Sequence, residues 1–204
     1  MAIMVLVSTA YPIDETILSP ARREKAARLR KEEDRARCLC AGFALDTALS
    51  TVGLREKDVR FGTGEHGKPL LIDHPEHHFS VSHSGEYAVC VLSSAPVGVD
   101  VERIRPLSAL SLAERYFADE EQAWLRCLPE QERQIAFFRL WTAKESVLKA
   151  LGTGLSRPLN TVPITVGDPL TTVEGFALRE YPLDGYRLTA AGTDLPHNIT
   201  FCLR

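Results

Sequence analysis

Apolar positions along the chain alternate between short strand-like runs and two long helical stretches. Met1 to Val7 is apolar, short and leads into Tyr11-Pro12, which predicts an opening strand. Ser19-Pro20 has the form of an N-cap followed by proline at the first helical position. From there to about Ser50 only Gly42 interrupts, so the pattern predicts one helical segment with a charged first half. Its second half carries Leu39, Phe43, Leu45 and Leu49, apolar enough to enter a core, and Gly53 is a plausible stop. A turn-rich stretch from Gly62 to Pro69 precedes three strand-like runs: Phe79–Ser82, Tyr87–Leu92 and Val97–Val101. Pro106 ends the last of them. Asp119 with Gln122 resembles a capping box, and Pro129 opens a long helix reaching Ala150 and stopping near Gly152 and Gly154. After Pro158 strands return at Thr161–Val166, Val173–Arg179, Tyr186–Ala191 and Ile199–Leu203, with Asp184-Gly185 as a hairpin turn. Both halves place helix before a strand meander. The order predicts an α+β fold with mostly antiparallel sheets and two similar halves.

Composition narrows the class without deciding it. The 204 residues fit one large domain or two small subdomains, with 45% hydrophobic and 25% charged residues. Net charge is −3, so nothing global argues for nucleic acid or a membrane surface. Residues 22–37 are a local exception, with eight basic and four acidic side chains. That face is most often just solvated. Five cysteines without a C-x-x-C suggest neither a disulfide framework nor a zinc knuckle, and a reduced, cytoplasmic setting is the simplest reading. The opening strand lacks a basic region before it, and no apolar run is long enough to span a bilayer.

Four segments carry candidate chemistry. In Val97-Gly98-Val99-Asp100-Val101-Glu102 the valines alternate with Gly98, Asp100 and Glu102. Residues two apart on a strand share a face, so Asp100 and Glu102 project side by side. Two such carboxylates raise each other's pKa unless a cation intervenes, and magnesium takes one or two carboxylates plus phosphate oxygens. An acidic outer face on a half-exposed edge strand is an equal reading. In Trp141 to Ala150, Phe137, Leu140, Trp141, Leu148 and Leu151 form an apolar stripe on a helix. Glu145 and Lys149 lie at its edge, four apart, where an ordinary stabilising pair also fits. Lys144 falls inside the stripe, its stem on apolar surface and its ammonium reaching the rim.

Phe79 to Gly85 alternates as a strand, with Phe79 and Val81 inward and Ser80 and Ser82 outward. His83 falls at its end beside Ser84-Gly85, where imidazole, hydroxyl and turn N–H groups suit a phosphate. A serine nucleophile is disfavoured, because neighbouring strand residues point to opposite faces and no G-x-S-x-G occurs. Gly62 to Pro69 nearly matches two phosphate motifs and completes neither, leaving a tight loop that presents Lys68 to a nucleotide phosphate or serves as a hairpin turn. His74, His77 and His78 sit around Pro75 with no further ligand at zinc spacing.

In combination these motifs resemble the 4′-phosphopantetheinyl transferase superfamily, in its surfactin-synthetase-activating branch. The match is Ser82-His83-Ser84, then Gly98-Val99-Asp100-Val101-Glu102, then Trp141 through Lys149, with 43 residues from Glu102 to Glu145. The resemblance runs from about Arg22 to Asn160. It implies a pseudo-twofold pair of α/β subdomains, each a long helix on a mostly antiparallel sheet, divided as residues 1–102 and 103–204. The site would lie between them. It further implies Asp100, Glu102 and Glu145 as ligands of magnesium (or manganese), and Lys149, His83 and Lys144 as pyrophosphate contacts. Arg28, Lys31 and Arg37 would fall in the region binding the 3′-phosphate of coenzyme A. Lys68 and Pro69 would line the nucleotide pocket, with Ser82 beside the phosphates. Glu145 or Glu121 would serve as base. The implied reaction moves 4′-phosphopantetheine from coenzyme A to a serine of an apo carrier protein, docked near Leu107 to Trp124, with a monomer sufficient. Another nucleotide-dependent phosphotransferase and a non-catalytic carrier-binding module are the alternatives.

Overall fold

The computed structural model describes residues 2–172 and 174–203. The chain begins with β1 (Ile3–Ser8), followed by α1 (Pro20–Ala27) and α2 (Glu32–Ser50). Ser19 caps α1 by accepting a hydrogen bond from Arg22 N–H. The single helix expected over this stretch is two helices. Lys31 is extended, at ψ 132°, and α2 starts afresh with Glu32, Glu33 and Asp34 in its first turn. Three carboxylates at a helix N-terminus complement its dipole, and that favours a new start over continuation.

A hairpin of β2 (Phe61–Thr63) and β3 (Pro69–Leu71) follows, then β4 (His78–Ser84), β5 (Tyr87–Ser93) and β6 (Val97–Arg103). Next come α3 (Ala109–Tyr116), α4 (Asp119–Cys127) and α5 (Glu130–Leu151). Glu121, rather than Gln122, reaches back to the start of α4, accepting from Ala118 N–H at 2.8 Å. Helix α5 ends at Gly152, whose φ of 76° suits the left-handed cap that glycine takes at no steric cost. The last strands are β7 (Ile164–Thr165), β8 (Thr171–Thr172), β9 (Ala177–Tyr181), β10 (Tyr186–Gly192) and β11 (Ile199–Cys202). The strand expected over 161–166 shrinks to its central pair, because a 3-10 turn takes residues 159–161. Of the run expected from Val173, that residue lies outside the described ones and β9 starts at Ala177.

The larger sheets have the orders β11-β1-β5-β4 and β6-β10-β9, antiparallel except for the parallel pair β1–β11. The fold is α+β. Helix α2 packs Ala44, Leu45, Ala48 and Leu49 onto Val5, Val7, Ala88 and Cys90 of the first sheet. Its opposite face, Met4, Leu6, Val89 and Val91, meets Val97, Val99, Val101 and Leu188 of the second. The second sheet is covered in turn by α5, through Ala143, Val147 and Ala150 among others. Strands buried on both faces read as unbroken apolar runs, which is why β5 is YAVCVL. A division after residue 102 cuts across shared structure: β6 pairs along its length with β10, and β11 joins β1.

Candidate active site

The two sheets meet where β4 runs beside β6 without backbone pairing. Side chains of β4 do the pairing instead. Val99, Val101 and Arg103 donate their backbone N–H groups to the hydroxyls of Ser80, Ser82 and Ser84 at 3.1, 3.3 and 3.1 Å. Ser80 and Ser82 are therefore buried, not outward as the alternation alone predicts. Ser82 donates to Asp100 Oδ1 at 2.7 Å, and Ser84 donates to Glu102 Oε2 at 2.7 Å. The hydroxyl of Ser82 is thus committed to protein partners.

Val99 and Val101 point into the core, and Gly98, Asp100 and Glu102 face α5. A Cβ on Gly98 would stand 2.0 Å from Ser146 O and 2.5 Å from Ala150 N, so only glycine lets α5 approach this closely. That approach brings Lys149 Nζ to 2.7 Å from Asp100 Oδ1 and 3.1 Å from Val99 O. Glu145 lies one turn earlier. Burial, then the charges of Asp100 and Glu102, push its carboxyl above the ordinary range. Glu102 is raised likewise, by burial and by Asp100, against the lowering effect of the Ser84 hydrogen bond.

Asp100 is buried, and its Oδ2 has no hydrogen-bond partner. Leaving a buried acceptor unpaired costs roughly 1–3 kcal/mol, and a cation removes that cost. Among the described residues no three carboxylate, imidazole or thiol groups stand close enough together to hold a metal ion by themselves. A magnesium ion does not require such a set, since it keeps waters and takes phosphate oxygens beside one or two carboxylates. Glu102 and Glu145, both raised, together with Asp100 and its orphaned oxygen, fit such an ion.

A cleft runs along the β4 side of this joint. One cavity of about 550 Å³ lies between α1, α2 and β4, and another of about 530 Å³ lies beyond the β2–β3 hairpin. A smaller one of about 230 Å³ connects them, lined by Lys149 and Val81. Pro69 and Phe79 line all three. His83 lines the first cavity with an exposed ring; partial burial and the nearby positive charges of Arg37, Lys149 and Lys25 hold its pKa below the usual value. Lys68 lines the second and third cavities, with its ammonium held by the protein. Its ammonium binds Val97 O and Ala150 O at 3.0 and 3.4 Å, and burial lowers its pKa to about 8.

The basic residues at the first cavity are Arg22 and Lys25, which the sequence reading passed over within its basic run. Arg28 is exposed and faces Glu24, and Lys31 sits at the break between helices. Neither lines the first cavity. Arg37 binds Gly85 O and Asp34. His74 and His77 both face Glu76.

Lys144 and Glu121 lie away from the cleft and bind each other at 2.7 Å, both fully buried. Lys144 also donates to Leu159 O and Val162 O at 3.1 and 2.6 Å, and Glu121 accepts from Ile164 N. The ammonium therefore ends in the core rather than at the rim, where it fastens the segment after α5. Neither residue can touch a ligand in the cleft or serve as its base. Phe117, within the stretch expected to dock a carrier protein, is buried against Phe137.

Comparison with known proteins shows the family. The family model described as the 4′-phosphopantetheinyl transferase superfamily matches residues 96–191, the span holding β6, α5 and β10. The chain is 35% identical over 196 residues to 4′-phosphopantetheinyl transferase Sfp of Bacillus subtilis, covering 91% of this chain and 87% of that protein. It is 40% identical over 111 residues to 4′-phosphopantetheinyl transferase HetI of a Nostoc species, covering 52% and 47%. A holo-(acyl-carrier-protein) synthase from Bacillus anthracis, solved with CoA (3′,5′-ADP), matches 45% of this chain and 91% of its own at 23% identity and TM-score 0.35. The chain belongs to the 4′-phosphopantetheinyl transferase superfamily, among its Sfp-type members.

Proposed function

We propose that this enzyme transfers the 4′-phosphopantetheine group of coenzyme A to a serine of an apo carrier protein, with release of 3′,5′-ADP and dependence on magnesium. The observation that carries the reading is Lys149 bound to Asp100 beside the cleft, with Asp100 Oδ2 left unpaired and Glu102 and Glu145 near enough to be raised by its charge. Asp100, Glu102 and Glu145 would hold the metal. When bound, it would neutralise charge on the diphosphate and on the departing phosphate oxygen.

The chain's own residues bind and orient. Arg22 and Lys25 offer positive charge at the far end of the first cavity, suited to a nucleotide phosphate. Pro69 and Phe79 form an apolar wall between cavities, which suits a base. Lys149 and His83 stand toward the reacting phosphates. The carrier serine oxygen forms a bond to the β-phosphorus as the bond from that phosphorus to the bridging oxygen breaks. The serine proton passes to Glu145, directly or through a water. Exposed arginines at and just after the end of β6, Arg103 and Arg105, suit the acidic start of a carrier helix.

The test is mass spectrometry of an apo carrier protein incubated with coenzyme A and magnesium. A phosphopantetheine mass increase that disappears on chelation is expected. No increase, or an increase indifferent to chelator, overturns the proposal.

A further inference from the structure

The alternating serines of β4 do more than join two sheets. Their spacing matches that of β6: Ser80, Ser82 and Ser84 stand 18 positions before Gly98, Asp100 and Glu102. Every hydroxyl accepts one backbone N–H of β6. A hydroxyl has one proton to donate besides its lone pairs. Ser82 gives that proton to Asp100 and Ser84 gives it to Glu102. At the third rung Gly98 has no side chain to receive it.

We propose that Ser82 and Ser84 are positioning residues that fix the carboxylates of Asp100 and Glu102 for a divalent cation, and that Ser80 has the joining role alone. The proposal rests on reading those carboxylates as cation ligands. The geometry supports it in two ways. The backbone N–H fixes where each serine oxygen sits, so the remaining donor direction is set by the strand and not by a free rotor. Each serine also takes one oxygen of its carboxylate, leaving Asp100 Oδ2 the unpaired one. A carboxylate so held meets a cation without first losing its rotational freedom. Groups that orient a metal ligand in this way typically contribute about 10–100-fold in metal affinity.

The rungs supply their own control. The experiment is a titration of Mn²⁺ into the full chain with coenzyme A present, read by loss of the free-ion electron paramagnetic resonance signal, with thermal unfolding in parallel. Ser82→Ala and Ser84→Ala should each weaken Mn²⁺ binding by about 10–100-fold. Ser80→Ala should lower the unfolding temperature to a similar extent and leave Mn²⁺ affinity within a few-fold of wild type. Ser84→Thr should bind Mn²⁺ like wild type, and Ser84→Val, its equal in shape without a hydroxyl, should bind like Ser84→Ala. That pair keeps the test open if an alanine variant does not fold.

Equal Mn²⁺ affinity in the Thr and Val variants overturns the positioning role while leaving the cation site standing. Equal losses across all three alanine variants do the same, since they would make the effect one of sheet joining. No Mn²⁺ binding by wild type, despite bound coenzyme A, removes the cation site itself and the proposal with it.

Discussion

Gly98→Ala should loosen the enzyme and disable it together, although alanine is ordinarily the more stabilising residue. The φ of Gly98 is not positive, so alanine is allowed by the backbone. On backbone entropy alone the change would stabilise by about 0.4–1 kcal/mol. Contact decides otherwise. The new methyl would lie 2.0 Å from Ser146 O, 2.5 Å from Ala150 N and 3.0 Å from Lys149 C. These are backbone atoms within α5, so no side chain can swing aside. The helix must move away from β6 by roughly 1 Å or more to reach ordinary van der Waals separation. Overpacking of this kind costs about 1–3 kcal/mol, and a protein of this size loses about 2–4 °C of melting temperature per kcal/mol. The shift also carries Lys149 away from Asp100 and Glu145 away from both acids of β6. A 1 Å misplacement at a reacting centre costs on the order of 10²-fold in rate. Thermal unfolding and phosphopantetheinylation of an apo carrier protein measure the two losses. A Gly98→Ala enzyme with wild-type melting and wild-type turnover would refute the close approach and its purpose.

Three further outcomes follow from the same geometry. Glu145 carries a pKa raised above its ordinary value near 4.5, so the folded state holds its proton more tightly than the unfolded state. Stability from this group is full below the unfolded value and is lost as pH rises through the folded one. In chelator, Glu145→Gln should therefore resist urea better than wild type at neutral pH, the gain fading toward pH 4.5; a less stable variant at neutral pH would count against the raised pKa. Lys144→Met should cost about 3–5 kcal/mol in urea unfolding by leaving Glu121 buried without its cation, and adding Glu121→Gln should return part of the loss; a cost below 1 kcal/mol would mean the pair is not desolvated. Lys25→Ala should raise KM for coenzyme A roughly tenfold through a lost charged hydrogen bond, and Arg28→Ala should leave it unchanged; the reverse ranking would move the 3′-phosphate contact to Arg28.

What the sequence made legible was whatever depends on a period of two or on a terminal signal. Asp100 and Glu102 share a face because a strand alternates, and α5 starts at Pro129 and ends at Gly152 because those residues stop and cap helices. Less legible was anything depending on what the other face meets. Ser80 and Ser82 are polar and alternate with Phe79 and Val81, so they read as solvent-facing; only the neighbouring β6, placed by tertiary packing, makes that face interior. Lys144 reads as a rim residue because burying an ammonium is costly, and the carboxylate that makes it tolerable lies 23 positions away in sequence. Arg28 and Lys31, which the resemblance places near the 3′-phosphate, do not line the first cavity. The three acids at 32–34 are the local signal of the helix start that divides the expected single helix.

The site falls at the sheet joint for a reason that precedes catalysis. Strand β6 is buried, and its edge facing β4 has no backbone partner, yet its N–H and C=O groups must be paired. The N–H groups of Val99, Val101 and Arg103 find serine oxygens. The carbonyls of Val97 and Val99 find Lys68 and Lys149. Satisfying one unpaired strand edge thus draws hydroxyls and ammonium groups to a single seam between helix and sheet. Those are the groups that orient carboxylates and balance phosphate charge. A continuous sheet would have paired the same strand with backbone and left no polar side chain there, so the break between the sheets is what makes this seam suitable for a diphosphate.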